Sequence, residues 1–235
     1  MKTELYILRH AVSTQETGPF HPQVSGVYPE LKYDDKRSLY RLFDNFNAFS
    51  AIDPKIDFLT LKKGARLTDL LSSSMFVLLG FIVSRRFKEL FEQFKLPQCK
   101  FYKTPVKSGD VLHEYFWIHM LLQYEGKTFD EWQTSNTDFP KSKFYIEKYL
   151  NKIGDIEITS YEDLINKQKE LDFGKSIKAE KLVMSQSFLV QMPDAFKIPL
   201  LSNEWIIKDN FYNAIVKAGI TGVDAQLVRH IRFID

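Results

Sequence analysis

Little in this chain is chemically reactive. A single cysteine, Cys99, stands among 235 residues. That excludes an intrachain disulfide and fits a reducing compartment. No histidine lies near Cys99 in sequence to activate the thiol, so packing is its expected role. Long apolar runs are missing as well. The longest, 75–83, has Gly80 inside it and is too short to span a bilayer. Glu4, Arg9 and His10 interrupt any apolar core at the N-terminus, so no signal peptide is expected there. A cytoplasmic protein with no membrane partner is the expectation. An excess of one charge is also absent: 32 basic residues face 30 acidic ones. No general field for polyanions follows, and nucleic acid is not an expected partner. Lys141, Lys143, Lys148 and Lys152 are locally basic, but Glu147 and Asp155 dilute them into a solvated face.

What the chain does have is aromatic bulk, with 20 Phe and 11 Tyr. Large rings bury much area per residue, and a chain of this length can enclose a sizeable core. The clearest local signal lies in 205–223. Phe211, Ala214, Ile215 and Ala218 fall at i, i+3, i+4 and i+7, one apolar stripe of a helix. Gly219 follows as the residue that closes such a helix in the left-handed conformation.

A partial copy lies 124 residues upstream. Aligned without a gap, Phe87 falls on Phe211, Leu90 on Ala214, Phe91 on Ile215, Phe94 on Ala218 and Leu96 on Ile220. Ile82-Val83 precedes one helix and Ile206-Ile207 the other. The spacing describes an internal pseudo-repeat over about 74–106 and 198–230, either a duplication or two ordinary amphipathic helices of similar length.

Other segments read as mixed elements. Leu5 to Leu8, Ile56 to Leu61, Phe144 to Ile146, Asp155 to Thr159, Lys181 to Met184, Phe188 to Val190 and Leu227 to Ile234 carry strand patterns. Pro105 assigns the Phe101–Val106 strand to a sheet edge. The apolar run Glu114 to Gln123 predicts a strand covered on both faces. Ser84 and Ser160 are expected helix N-caps, and Gly126 to Pro140 a polar loop. Without a βαβ rhythm, the fold class is α+β with mixed, largely antiparallel sheets and amphipathic helices. One domain over 1–235 is expected, with 1–65 as an N-terminal subregion.

Few constellations carry chemistry. The stretch Leu5-Tyr6-Ile7-Leu8-Arg9-His10-Ala11 resembles the strand-to-loop motif of the histidine phosphatase superfamily, in which His10 would be the nucleophile and Arg9 a phosphate clamp. The rest of that pattern, a Gly-rich helix start and a second His in a Gly-His setting, is missing, and one dipeptide does not surround an oxyanion. His113 and His119 would share a face of one strand, but lack a third metal ligand, and Trp117 stands where a zincin's second His belongs. Gly219, Thr221 and Gly222 follow a helix, whereas phosphate loops precede one. The expectation is therefore no catalytic, cofactor-binding or metal-ligating residue, and no cofactor. Trp132, within the polar stretch, is the expected exposed aromatic anchor for a protein partner.

Two passages carry a family resemblance. One runs from Asp69-Leu70-Leu71 through Val83-Ser84-Arg85-Arg86-Phe87-Lys88-Glu89-Leu90 to Lys100-Phe101-Tyr102 and Glu114-Tyr115-Phe116. The other is Asp194-Ala195-Phe196-Lys197-Ile198-Pro199, then Trp205 onward to Ile220-Thr221-Gly222-Val223. Together they resemble the immunity proteins of bacterial polymorphic toxin systems, in a large family first described as a domain of unknown function. There an apolar residue and a Ser open a helix that ends near a Gly-Ile-Thr-Gly-like turn, after an Asp-x-Phe strand. The likeness covers about two thirds of the chain, from near Asp69 onward, and departs at Lys208, where that family more often has Ser. It implies a non-enzymatic, stoichiometric inhibitor of a cognate toxin, without cofactor or catalytic residues. The phosphohydrolase reading of Arg9-His10 is the alternative, and self-association into a homo-oligomer is a third role that composition leaves open.

Overall fold

The computed structural model describes residues 3–44, 47–73 and 80–235. Residues 75–79 of the apolar run therefore lie outside the described residues. Among them the chain forms 18 strands and six α-helices in several mostly antiparallel sheets, the α+β organisation expected.

Two of the sheets are built alike. The first has the order β4 (Leu70–Leu71), β5 (Gly80–Ser84), β9 (Tyr115–Met120), β6 (Cys99–Lys103). The second has β15 (Ala195–Ile198), β16 (Ser202–Lys208), β1 (Leu5–His10), β17 (Val223–Leu227). Every neighbouring pair in both is antiparallel. Their registers coincide. Ser84 faces Tyr115 as Lys208 faces Leu5; Cys99 faces Met120 as Val223 faces His10; Lys103 faces Phe116 as Leu227 faces Tyr6. The 124-residue offset thus holds across two strands and a helix without a slip, and a one-residue slip would have turned every side chain to the wrong face. Only the central strand has a different origin. β9 follows β6 in the chain, whereas β1 comes from the opposite end.

Each sheet delivers one helix, and local chemistry explains both. α2 (Arg85–Phe91) starts at Ser84, whose hydroxyl accepts from the Phe87 amide at 3.3 Å, as a Ser N-cap should. α6 (Asp209–Lys217) has Lys208 at that position, with no side-chain cap. It ends as expected at Gly219, φ +61°, where the Gly219 amide reaches Val216 O (3.0 Å) and the Ile220 amide reaches Ile215 O (3.2 Å). Phe87 and Phe211, equivalent under the offset, are both fully buried. The helices meet through Phe211, edge-on to Phe91 at 4.9 Å and stacked on Phe94 at 4.3 Å. Such rings each remove about 2–3 kcal/mol worth of apolar surface from water.

The two halves also hold each other reciprocally. Within each, the N-cap amide donates to an aspartate carbonyl: Ser84 to Asp69 (2.8 Å), Lys208 to Asp194 (3.0 Å). Between them, Asp194 N donates to Lys95 O (2.6 Å) while Lys95 N donates to the Asp194 carboxylate (2.9 Å). In the mirror position Leu70 N donates to Thr221 O (3.0 Å) while Thr221 N donates to the Asp69 carboxylate (2.9 Å). The chain passes so close here that a Cβ on Gly222, at φ +79°, would lie 2.2 Å from Leu70 O. Only glycine fits.

The remaining elements cover the outer faces. Over the first sheet lie β2 (Val24–Tyr28), β3 (Phe58–Leu61), β7 (Val106–Ser108) and β8 (Val111–His113), and the interface is a second core holding Leu59, Leu71, Ile82, Tyr102 and Trp117. The run read as a strand covered on both faces is accordingly β9: Ile118 and Met120 enter the main core and Tyr115 and Trp117 the second. Beside the second sheet stand β13 (Asn151–Ile156), β12 (Lys143–Lys148), β14 (Lys175–Ser185) and β18 (Ile231–Ile234), with β18 parallel to β14. β14 repeats the strand-to-helix device a third time: Ser185 caps α5 (Gln186–Gln191) and Phe188 is fully buried. A short α1 (Thr14–Thr17), α4 (Tyr161–Glu170, capped by Ser160 as expected) and the hairpin β10 (Gln123–Tyr124) with β11 (Lys127–Thr128) complete the set.

Several expectations are corrected. Gly126 to Pro140 is no loop, because α3 (Phe129–Asn136) crosses it, started by a full capping box in which Thr128 and Glu131 satisfy each other's amides. Phe188 to Val190 belongs to α5 and not to a strand, since Ser185 supplies a cap. Leu227 to Ile234 is two strands in two sheets. β6 is an edge strand as expected, but Val106, beyond Pro105, pairs in the other sheet.

Candidate functional site

The matched registers make a residue-by-residue comparison of the two sheets' outer faces. On the first, Tyr102, Trp117 and His119 stack in a ladder, Trp117 5.0 Å from His119 and 5.1 Å from Tyr102. All three are buried beneath the covering elements. Their counterparts on the second sheet are Gln226, Ile7 and Arg9. These three line an open cleft of about 740 Å³ between the second sheet and the β13-β12-β14-β18 sheet. What is sealed core in one half is solvent-accessible wall in the other.

Opposite walls of the cleft carry Tyr145, Lys152 and Glu180, and its floor is the link Val228, Arg229 and His230 between β17 and β18. Most of its charges are fixed in ion pairs. Arg9 makes a bidentate pair with Glu204 (2.7 and 2.8 Å) and reaches Gln226 Oε1 at 2.6 Å. Lys152 bridges Asp155 (2.6 Å) and Glu180 (2.7 Å). Burial works against the Glu204 carboxyl's ionisation, but hydrogen bonds from Arg9 and Ser202 outweigh it and hold the group below its ordinary range. Arg229 forms no ion pair among the described residues, and His230 Nδ1 lies 3.1 Å from the Glu180 carbonyl oxygen. Of the three permanent cations on the cleft wall, Arg9 and Lys152 are thus compensated by carboxylates and Arg229 is not.

At the cleft rim the β12–β13 hairpin turns through Tyr149 and Leu150, with φ of +49° and +65°. A two-residue turn of this kind is normally Asn-Gly, because β-carbons are strained at positive φ. Here both positions carry large apolar groups, Tyr149 75% and Leu150 90% exposed. Leu150 also lines the cleft. Nearby, Phe173 is 99% exposed before Gly174, where an added Cβ would lie 3.7 Å from the Tyr149 hydroxyl. Sequence reading missed this cluster. The signal was available in Tyr149-Leu150, two apolar residues between two strands where turn-formers belong.

The Arg9-His10 motif resolves differently. His10 lines a smaller cleft of about 270 Å³ with His21, Phe81, Glu204 and Trp205. Its ring is pushed down to about 4, chiefly by desolvation and then by His21, so it is neutral at pH 7. Arg9, the phosphate clamp of the alternative reading, points its guanidinium into Glu204 and Gln226. An arginine already neutralised by a bidentate carboxylate is poorly placed to hold a phosphate. Lys197, stacked over Trp205 at 5.1 Å, is buried and lowered to about 8, mainly by desolvation.

Trp132 is corrected. Its ring is only 8% exposed, its indole N–H donates to Tyr124 O at 2.8 Å, and Lys127 sits over its face at 5.0 Å. It lies on the inner side of α3, so the exposed anchor expected there does not exist. His113 and His119 fall on different strands, β8 and β9, and do not share a face. No group of three or more His, Cys, Asp or Glu among the described residues could hold a metal ion. Cys99 is partly buried, and desolvation raises its thiol. No helix among the described residues is long and apolar enough to cross a membrane. No protein-family model matches this chain, and no curated protein matches it at a significant level.

Proposed function

We propose that the chain is a non-enzymatic binding protein, an immunity protein that neutralises a cognate bacterial toxin by forming a stoichiometric complex. The observation that carries this reading is the unsealed outer face of the second sheet, whose counterpart in the first half is buried core. A cleft walled by cations already locked into ion pairs is built to present a fixed charge pattern, since paired groups are poor nucleophiles and proton carriers. The family resemblance adds a second support. Asp69, Ser84 and Phe87 and their counterparts Asp194, Lys208 and Phe211, with the Thr221-Gly222 turn, are the residues that clasp the halves together. They are scaffold positions, as a family defined by fold and varied in partner would require.

The test is a pull-down from the native host with identification of the adjacent gene's product, followed by co-expression with that product and light scattering of the mixture. Growth rescue and a complex of fixed stoichiometry are the expected outcome. Rescue lost in His10→Ala together with phosphatase activity in the purified protein would instead favour the Arg9-His10 phosphohydrolase.

A further inference from the structure

We infer that the Tyr149-Leu150 hairpin tip is a strained docking anchor, and that it recognises, together with the adjoining cleft, an acidic surface of the protein partner containing an apolar depression. This rests on the binding reading above and specifies its surface and its partner's chemistry. Three observations converge on it.

The first is conformational. Tyr149 and Leu150 occupy the left-handed region in succession, where their β-carbons crowd the backbone, although the turn itself needs no particular side chain. Strain that persists at a site which the surrounding fold does not require points to a use for the side chains. The second is exposure. Tyr149 and Leu150 project side by side from the turn, and Phe173 is exposed next to Gly174, where a Cβ would lie 3.7 Å from the Tyr149 hydroxyl. Aromatic and aliphatic groups held on a rigid turn resemble the anchors that carry most binding energy in interfaces. The third is charge. Lys148 sits over the Tyr149 ring at 5.5 Å and Arg229 lines the cleft, neither in an ion pair among the described residues, whereas Arg9 is held by Glu204 and Lys152 by Asp155 and Glu180. Two uncompensated cations flanking an apolar tip are complementary to carboxylates beside an apolar hollow, and disfavour a basic partner.

The internal repeat argues independently for an occupant. The first sheet's outer face is covered by a four-stranded sheet that seals Trp117 and His119. At the equivalent Ile7 and Arg9 nothing within the described residues closes the cleft. A partner element laid into it would complete the second half as β2-β3-β7-β8 completes the first.

The experiment compares wild type with Tyr149→Asn/Leu150→Gly, which installs the turn sequence that the backbone favours, and with Arg229→Glu. For the double variant the expected result is a melting temperature raised by about 3 °C with at least about tenfold weaker binding to the neighbouring toxin domain. For Arg229→Glu it is a slower association rate and a flatter salt dependence at unchanged stability. Phe173→Ser, at a fully exposed position, provides a second apolar readout. If wild type binds the toxin domain and all three variants bind equally well, the assignment of the surface is overturned while the immunity reading stands. If wild type itself fails to bind, both fall. Binding of wild type to vesicles of anionic phospholipid that the double variant loses, or a concentration-dependent dimer that it loses, would overturn the protein-partner assignment in favour of a membrane or a second copy.

Discussion

The two sheets are the same object finished in different ways. β4-β5-α2-β6 around β9 and β15-β16-α6-β17 around β1 share strand order, direction and register, and exchange equivalent hydrogen bonds through Asp69 and Asp194. They differ in side chains and in what covers them. The first half closes its clasp with Ser84 and Arg86 on Asp69, the second with Asn210 on Asp194 at 3.1 Å and Lys208 on Met192 O at 2.6 Å. The first has an aromatic outer face under a second core; the second has Ile7 and Arg9 facing a cleft. The comparison teaches that the main-chain bonds define the unit and that side chains are free to diverge wherever they do not touch those bonds. The cleft is one result of that freedom.

The comparison can be broken at its centre. Phe87→Ala and Phe211→Ala remove equivalent, fully buried rings and should each cost about 3–5 kcal/mol, read as a fall in the urea midpoint. A loss confined to one of them would show that only one helix is integral to the core. A smaller effect concerns pH. His119 is fully buried, neither ring nitrogen has a hydrogen-bond partner among the described residues, and desolvation, followed by Lys100, pushes it down to about 4 from 6.5. The unfolded chain therefore takes up the proton first. The neutral ring's contribution is intact above pH 6.5 and lost progressively as pH falls to 4, on the order of 3 kcal/mol in all. His119→Phe should flatten the decline in stability between pH 7 and 4.5, and an unchanged decline would place the acid sensitivity elsewhere. The smallest effect tests the caps. Ser84→Ala should lose about 1 kcal/mol, whereas Lys208→Ser should restore the absent cap to α6 and offset the loss of the Met192 bond, leaving thermal stability within about 0.5 kcal/mol. Equal losses at both would mean that Lys208 serves α6 as well as a serine would.

Much of the scaffold was legible beforehand because its signals are local. Ser84, Ser160 and Gly219 mark helix ends by the geometry of one turn, and the β9 run is apolar at both parities because both faces are covered. The α3 stretch reads as a loop although Thr128 and Glu131 form a capping box, since its polar outer residues outweigh that signal. Trp132 went with it: a tryptophan amid polar neighbours looks exposed in a loop but faces inward once a helix turns it there. The displayed tip was passed over because Tyr149 and Leu150 are ordinary core residues by type, and only their backbone angles show them held outward.

By itself, then, the sequence determined the α+β class, the helix ends at Ser84, Ser160 and Gly219 and the 124-residue echo of one unit in another, all of which follow from spacings within a few turns of chain. Tertiary structure alone decided that β1 would take the place in the second sheet that β9 takes in the first, and that one outer face would be sealed and the other left open. Those outcomes depend on contacts between residues some 200 positions apart, such as Arg9 with Glu204, and no periodicity within a segment records which distant surface will come to lie against it.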